Sequence, residues 1–120
     1  MNRSLKERRQ DVWVKLDGGE HIWKYFTTDR INFSVSRLAP GQSSSVDPGH
    51  DGADEICYVV SGSVVMSFPQ RKEWVELNEA DAVLIAENEP HQIINTSAQE
   101  VLMVWCAAPG AGFMKKPVTS

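Results

Sequence analysis

Apolar and polar residues alternate along most of this chain with a period of two. Ile31, Phe33 and Val35 alternate with Asn32, Ser34 and Ser36, which is the pattern of a half-buried β-strand. The same reasoning predicts further short strands at 11–16, 20–26, 55–60, 63–68, 74–77, 82–86, 91–95 and 101–107. Glycine- and proline-rich turn signals separate them. Many short strands between such turns are typical of an all-β sandwich or barrel.

The length of 120 residues corresponds to one domain. We expect an N-terminal arm at residues 1–10, a β-barrel at 11–108 and a C-terminal tail at 109–120. Only the arm has a helical pattern, and Leu5 is its single strong apolar residue, so that helix would be marginal. The arm either extends into solvent or packs on a partner subunit.

The charge balance narrows the classes of partner. Twelve basic residues against sixteen acidic ones give a formal net charge of −4, which argues against nucleic acid as the partner. The longest apolar run is far shorter than the roughly 20 residues that a membrane helix needs, so no membrane partner is expected. Residues 1–10 lack the apolar stretch of a secretory signal. We therefore expect a cytoplasmic protein in which Cys57 and Cys106 are reduced thiols.

Two of the three histidines lie where strands begin. His50 is in the acid-rich turn Asp47-Pro48-Gly49-His50-Asp51-Gly52-Ala53-Asp54-Glu55, and His91 opens the strand at 91–95. If these strands face one another in a barrel, His50, Glu55 and His91 converge. Two imidazoles and a carboxylate are a known ligand set for a divalent metal with open positions. The alternative is a set of solvated loop residues, since such turns are common for backbone reasons alone.

The strand period also predicts the lining of a pocket. If Glu55 points into the barrel, Cys57 does too, and if His91 points in, so do Ile93 and Asn95. We predict Cys57, Ile93 and Asn95 as substrate-pocket residues. The four tryptophans are expected to pack in the core or at a dimer contact rather than on a substrate; they are Trp13, Trp23, Trp74 and Trp105.

Residues 31–107 resemble the cupins. Leu38-Ala39-Pro40-Gly41, followed by His50, Glu55 and Gly62, is similar to the first cupin motif, and His91 with Asn95 is similar to the end of the second. The resemblance implies a small single-domain cupin of the cupin-2 type. Its fold would be a jelly-roll barrel of two antiparallel sheets, with His50, Glu55 and His91 as metal ligands.

One departure from the cupin pattern affects the metal. The first histidine of the usual ligand pair falls at Pro48, which has no donor atom in its side chain. Its place would be taken by water, by substrate, or by a donor such as Asp47, Asp51 or Gln92; otherwise the metal has been lost. Iron(II), manganese(II), nickel(II) and zinc(II) all suit these ligands.

Three classes of function fit these residues. The resemblance implies a metal-dependent enzyme, of the dioxygenase, isomerase, lyase or decarboxylase type, acting on a small oxygenated metabolite. The second class is a non-catalytic module for a small ligand or sugar, with a degenerate metal site. The third is a structural scaffold. A homodimer is expected with any of them, because exposed edge strands tend to be covered or paired.

Overall fold

Nine strands form two antiparallel sheets in the computed structural model, which describes residues 3–110. The larger sheet has the order β1-β2-β3-β9-β4-β7 and the smaller one the order β6-β5-β8. The strands are β1 Trp13–Asp17, β2 Glu20–Thr27, β3 Asn32–Leu38, β4 Asp54–Ser61, β5 Val64–Phe68, β6 Glu73–Leu77, β7 Ala82–Ile85, β8 Gln92–Ile94 and β9 Val101–Ala108. Each predicted strand is present, with ends shifted by a few residues, and the all-β jelly-roll fold is confirmed.

An apolar core fills one part of the space between the sheets. On β4, Glu55, Cys57 and Val59 are buried while the intervening residues are exposed, as a period of two requires. Phe68 and Met66 on β5 and Ile93 on β8 supply the core from the opposite sheet. Cys57 and Cys106 are both free thiols, as predicted.

Strand β3 is buried on its polar side. Asn32, Ser34 and Ser36 are buried, whereas Phe33 and Val35 are only half-buried. The alternation predicted the strand, but the buried side chains are the hydrophilic ones. Because buried polar groups need polar partners or solvent, this arrangement indicates a polar cavity rather than a continuous apolar core in front of β3.

The predicted N-terminal helix is not formed in residues 3–8, and only a 3-10 turn at Arg9–Asp11 follows them. The helix prediction was wrong because this segment has no apolar face to pack: its one large apolar side chain, Leu5, is exposed. Most of the predicted C-terminal tail, residues 111–120, lies outside the described residues. Between residues 3 and 110 no helix has the length and apolar character needed to cross a membrane.

Candidate metal centre

A cavity of about 390 Å³ opens between the two sheets. Strands β1, β2, β3 and β9 form one wall, and the loop before β4 with the start of β8 forms the other. Its lining is part apolar, from Ile22, Ile93 and Trp105, and part polar or charged. The volume is that of a site for a small molecule.

Four donor side chains meet at one end of this cavity, namely Asp47, His50, Glu55 and His91. His50 Nε2 lies 3.7 Å from Asp47 Oδ2 and 3.9 Å from Glu55 Oε1. His91 Nε2 lies 3.9 Å from the same Asp47 oxygen and 3.6 Å from the same Glu55 oxygen. The four atoms therefore form a ring in which imidazoles and carboxylates alternate.

Asp47 reaches this ring because its backbone pairs with that of His91. The two residues form an isolated antiparallel bridge, with N–H···O distances of 2.8 and 2.9 Å, so their side chains project together. Asp47 Oδ1 accepts a hydrogen bond from the Gly49 amide at 2.8 Å, which leaves Oδ2 directed to the imidazoles. Gly49 has φ +89° and approaches Glu89 so closely that a Cβ atom would collide with it. The loop geometry thus depends on glycine here.

The hydrogen bonding of His91 fixes which ring nitrogen can act as a ligand. His91 Nδ1 lies 2.9 Å from the Glu89 carbonyl oxygen, which can only accept, so in the neutral imidazole Nδ1 carries the proton and Nε2 has the lone pair that faces the ring. Burial lowers the pKa of His50 and favours its neutral form, although the Asp47 charge opposes this. The His50 carbonyl accepts a hydrogen bond from the Asn88 amide at 3.2 Å, which ties the His50 loop to the turn before His91.

Glu55 is a buried member of the ring with one carboxylate oxygen that no hydrogen bond satisfies among the described residues. The residue is 8% exposed, and the oxygen concerned is Oε1. Burial and, second, the Asp47 charge raise the pKa of Glu55 to about 8. A buried carboxylate oxygen without a partner costs free energy unless a cation or donor meets it.

The spacing of the donor atoms is compatible with a metal ion. Asp47, His50 and Glu55 offer ligand atoms that all lie within 4.8 Å of one another. His91 Nε2 is not part of that cluster, but it lies 3.6–3.9 Å from the two carboxylates. Ligands about 2.1 Å from a tetrahedral ion lie about 3.4 Å apart, so binding one ion through all four donors requires the two imidazoles to approach each other across the ring. The residues present fit a divalent cation in their donor chemistry.

The other candidate ligands point elsewhere. The Asp51 carboxylate accepts a hydrogen bond from the Asn88 amide group at 3.1 Å, and the Gln92 side chain donates to the Ser44 carbonyl at 2.8 Å. Of the predicted pocket residues, Ile93 lines the cavity. Cys57 lies in the apolar core, and the buried Asn95 side chain donates to the carbonyls of Leu38 and Gln99.

A second polar group lines the cavity on the β1–β2 wall, and sequence reasoning missed it. Lys15, Glu20 and Lys24 face the cavity, and Glu20 is 5% exposed with its Oε2 atom unpartnered among the described residues. Ser36 hydrogen-bonds the Glu20 carboxyl and accepts a hydrogen bond from Trp105 Nε1 at 2.8 Å. Trp105, predicted only as a packing residue, thus belongs to the cavity wall as well as to the core.

The comparisons with known proteins agree with this architecture. The family model described as a cupin domain matches residues 34–106. A polyketide cyclase from Streptomyces resistomycificus superposes with a TM-score of 0.71 at 19% identity, covering 89% of this chain and 80% of that one. A predicted oxalate decarboxylase from Thermotoga maritima gives 0.72 at 17% identity, with 87% and 98% covered. The cupin domain of an XRE family transcriptional regulator from Enterobacter cloacae gives 0.67 at 26%, with 75% and 96% covered. No curated protein matches the chain.

Proposed function

This chain belongs to the cupin domain family, and we propose that it binds one divalent transition metal through His50, Glu55, His91 and Asp47. The observation that carries the proposal is the ring of four donor atoms with neighbouring separations of 3.6–3.9 Å. The unpartnered Oε1 atom of Glu55 adds to it, because a cation at the centre of the ring would compensate that buried oxygen.

Asp47 is the proposed substitute for the histidine that the family pattern has at Pro48. It is the chain neighbour of Pro48, and its backbone bridge to His91 directs its Oδ2 atom to the ring. A carboxylate in place of an imidazole adds one negative charge, so two carboxylates would balance a divalent ion. Mixed nitrogen and oxygen donors suit iron(II), manganese(II), nickel(II) and zinc(II).

The cavity supports a metal-dependent enzyme acting on a small oxygenated metabolite. A divalent ion bound at the ring supplies Lewis acidity toward a coordinated oxygen. Ile93 and Trp105 form an apolar wall beside the ring, which would exclude water from the reacting group. Two structural neighbours are described as a polyketide cyclase and a predicted oxalate decarboxylase, which supports the proposal of chemistry of the dioxygenase, isomerase, lyase or decarboxylase kind.

The alternative is a non-catalytic module that binds a small ligand or sugar at the same cavity. The cupin domain of a transcriptional regulator, at 26% identity, favours this second candidate. Turnover separates the two candidates: an enzyme consumes a bound small molecule in the presence of the metal, whereas a binding module returns it unchanged.

The direct test is the metal content of the purified protein. Wild-type protein expressed in metal-supplemented medium is expected to contain about one ion per chain by plasma mass spectrometry, and His50→Ala and His91→Ala are expected to contain almost none. The matched control is His21→Ala, because His21 packs on Trp23 outside the cavity lining and its loss should leave the metal in place. A metal-free wild-type protein whose melting temperature is unchanged by added metal would refute the proposal.

The homodimer stays a prediction, and the outer face of the larger sheet supports it. Ile56 and Leu84 are directly paired across β4 and β7, and both are exposed together with Tyr58 and Val60. A contiguous apolar patch of this kind on a soluble domain marks an interaction surface. We propose that this face, rather than the N-terminal arm, joins two copies of the chain.

A further inference from the structure

Two lysines face the cavity without a salt bridge, although nearby carboxylates, Glu55 first among them, act on Lys24 through their charge. Lys15 on β1 and Lys24 on β2 line it, and both are half-buried. No hydrogen bond or ion pair within residues 3–110 involves either ammonium group. Burial lowers the pKa of Lys24, with the Lys15 charge as the next cause. Placing a pair of ammonium groups in a partly desolvated wall is costly unless an anion meets them.

The β1–β2 register brings the two lysines close to each other. Lys15 lies opposite Ile22, so Lys24 is its diagonal neighbour on the same face, and Glu20 is the diagonal neighbour on the other side. Diagonal neighbours are about 7–8 Å apart at the backbone, within reach of long side chains. A single carboxylate can therefore accept hydrogen bonds from both ammonium groups.

The charges in the cavity favour an anionic ligand once the metal is bound. Asp17, Glu20, Asp47 and Glu55 line the cavity with Lys15 and Lys24. A divalent ion at the ring balances Asp47 and Glu55, which leaves two lysines against Asp17 and Glu20. Burial raises the pKa of Glu20 to about 7, so this carboxyl is substantially protonated at neutral pH. In that state the β1–β2 wall carries a net positive charge, and the unpartnered Oε2 atom of Glu20 can donate to a ligand oxygen.

We propose that Lys15 and Lys24 bind a carboxylate of the ligand, so that the ligand of this cavity is a small organic acid extending from these ammonium groups to the metal ring. This inference rests on the proposed metal site for the other end of the ligand. Along the larger sheet, β3 and β9 separate β2 from β4. Lys24 on β2 is thus about three strand spacings from Glu55, or about 14 Å along the sheet, and Lys15 on β1 is one spacing farther. The long lysine side chains reduce the remaining distance to the length of a small diacid.

The test compares two probes that differ only in the distal group. The nickel-loaded protein is titrated calorimetrically with 2-oxoglutarate and with its distal methyl ester, which has the same metal-chelating end but no distal charge. Wild-type protein is expected to bind the diacid at least tenfold more tightly than the ester. The double variant Lys15→Met/Lys24→Met is expected to bind the two probes equally, while Lys24→Arg keeps the preference because it keeps the charge.

The matched control is Lys6→Met/Lys72→Met, which removes the same charge from exposed positions and should keep the wild-type preference. A wild-type protein without preference for the diacid, or a preference that survives in Lys15→Met/Lys24→Met, overturns the inference. Nickel content measured on the same samples separates this result from failure of the proposed function. If the chain holds no nickel, the metal proposal fails, and the same two probes titrated against metal-free protein decide the lysine site alone.

Discussion

The buried carboxyl of Glu20 gives a prediction whose size follows from the structure. Its pKa is raised from 4.5 to about 7, chiefly by burial, while the hydrogen bond from Ser36 opposes the shift and the Asp17 charge adds to it. Because the folded state holds this proton more tightly than the unfolded state, the stabilisation is complete below pH 4.5 and is lost as the pH rises to 7. The full shift corresponds to about 3 kcal/mol, most of which falls between pH 5 and pH 8.

Glu20→Gln removes this titration with little change of shape. The amide oxygen can still accept from Ser36, and the amide nitrogen takes the place of the unpartnered Oε2 atom. We expect the free energy of unfolding of metal-free Glu20→Gln, relative to wild type, to rise by about 2–3 kcal/mol between pH 5 and pH 8. The measurement is urea denaturation at both pH values after chelator treatment.

Glu79→Gln is the matched control, since Glu79 is exposed and its substitution should leave the pH dependence of the wild type unchanged. If the stabilities of wild type and Glu20→Gln change in parallel from pH 5 to pH 8, the Glu20 carboxyl is not held protonated by the cavity wall. That result would refute the reasoning about its burial.

Three other substitutions test separate parts of the account. Asp47→Asn is expected to weaken metal binding at least tenfold in calorimetry because the ligand loses its charge, whereas Asp51→Asn should stay within twofold; equal affinities would exclude Asp47 as a ligand. Phe68→Ala is expected to lower the free energy of unfolding by about 3–5 kcal/mol in urea, and a loss below about 1 kcal/mol would contradict the packed core. Leu84→Glu places a charge on the exposed sheet face and is expected to give a monomer by light scattering; a dimer that survives it would place the interface elsewhere.

The strands were predictable because each has a local alternation of side chains bounded by turns. Which of the two alternating sets of side chains is buried could not be predicted from the local sequence. On β3, apolar and polar residues alternate equally regularly, so the sequence does not indicate which side faces inward. Asn32, Ser34 and Ser36 are buried because the strand lies in front of a cavity. The prediction of an N-terminal helix was wrong because this segment has no apolar face that could pack against the rest of the protein, and helical propensity alone does not stabilise so short a helix.

The convergence of His50, Glu55 and His91 was predictable from their places at strand ends and from the cupin resemblance. The choice of Asp47 over Asp51 and Gln92 required the backbone bridge between Asp47 and His91, which no local pattern signals. Lys15, Glu20 and Lys24 were missed because charged side chains usually face solvent. The available signal was their spacing, since Glu20 and Lys24 share one face of β2 with Ile22.

The central claim is that four side chains hold one metal ion in this cavity, and a crystal structure grown with manganese(II) tests it most directly. We predict a single anomalous-scattering peak in the cavity, about 2.0–2.3 Å from Asp47 Oδ2, His50 Nε2, Glu55 Oε1 and His91 Nε2. A cavity without such a peak at saturating manganese(II), or a peak held by other residues, would contradict the account.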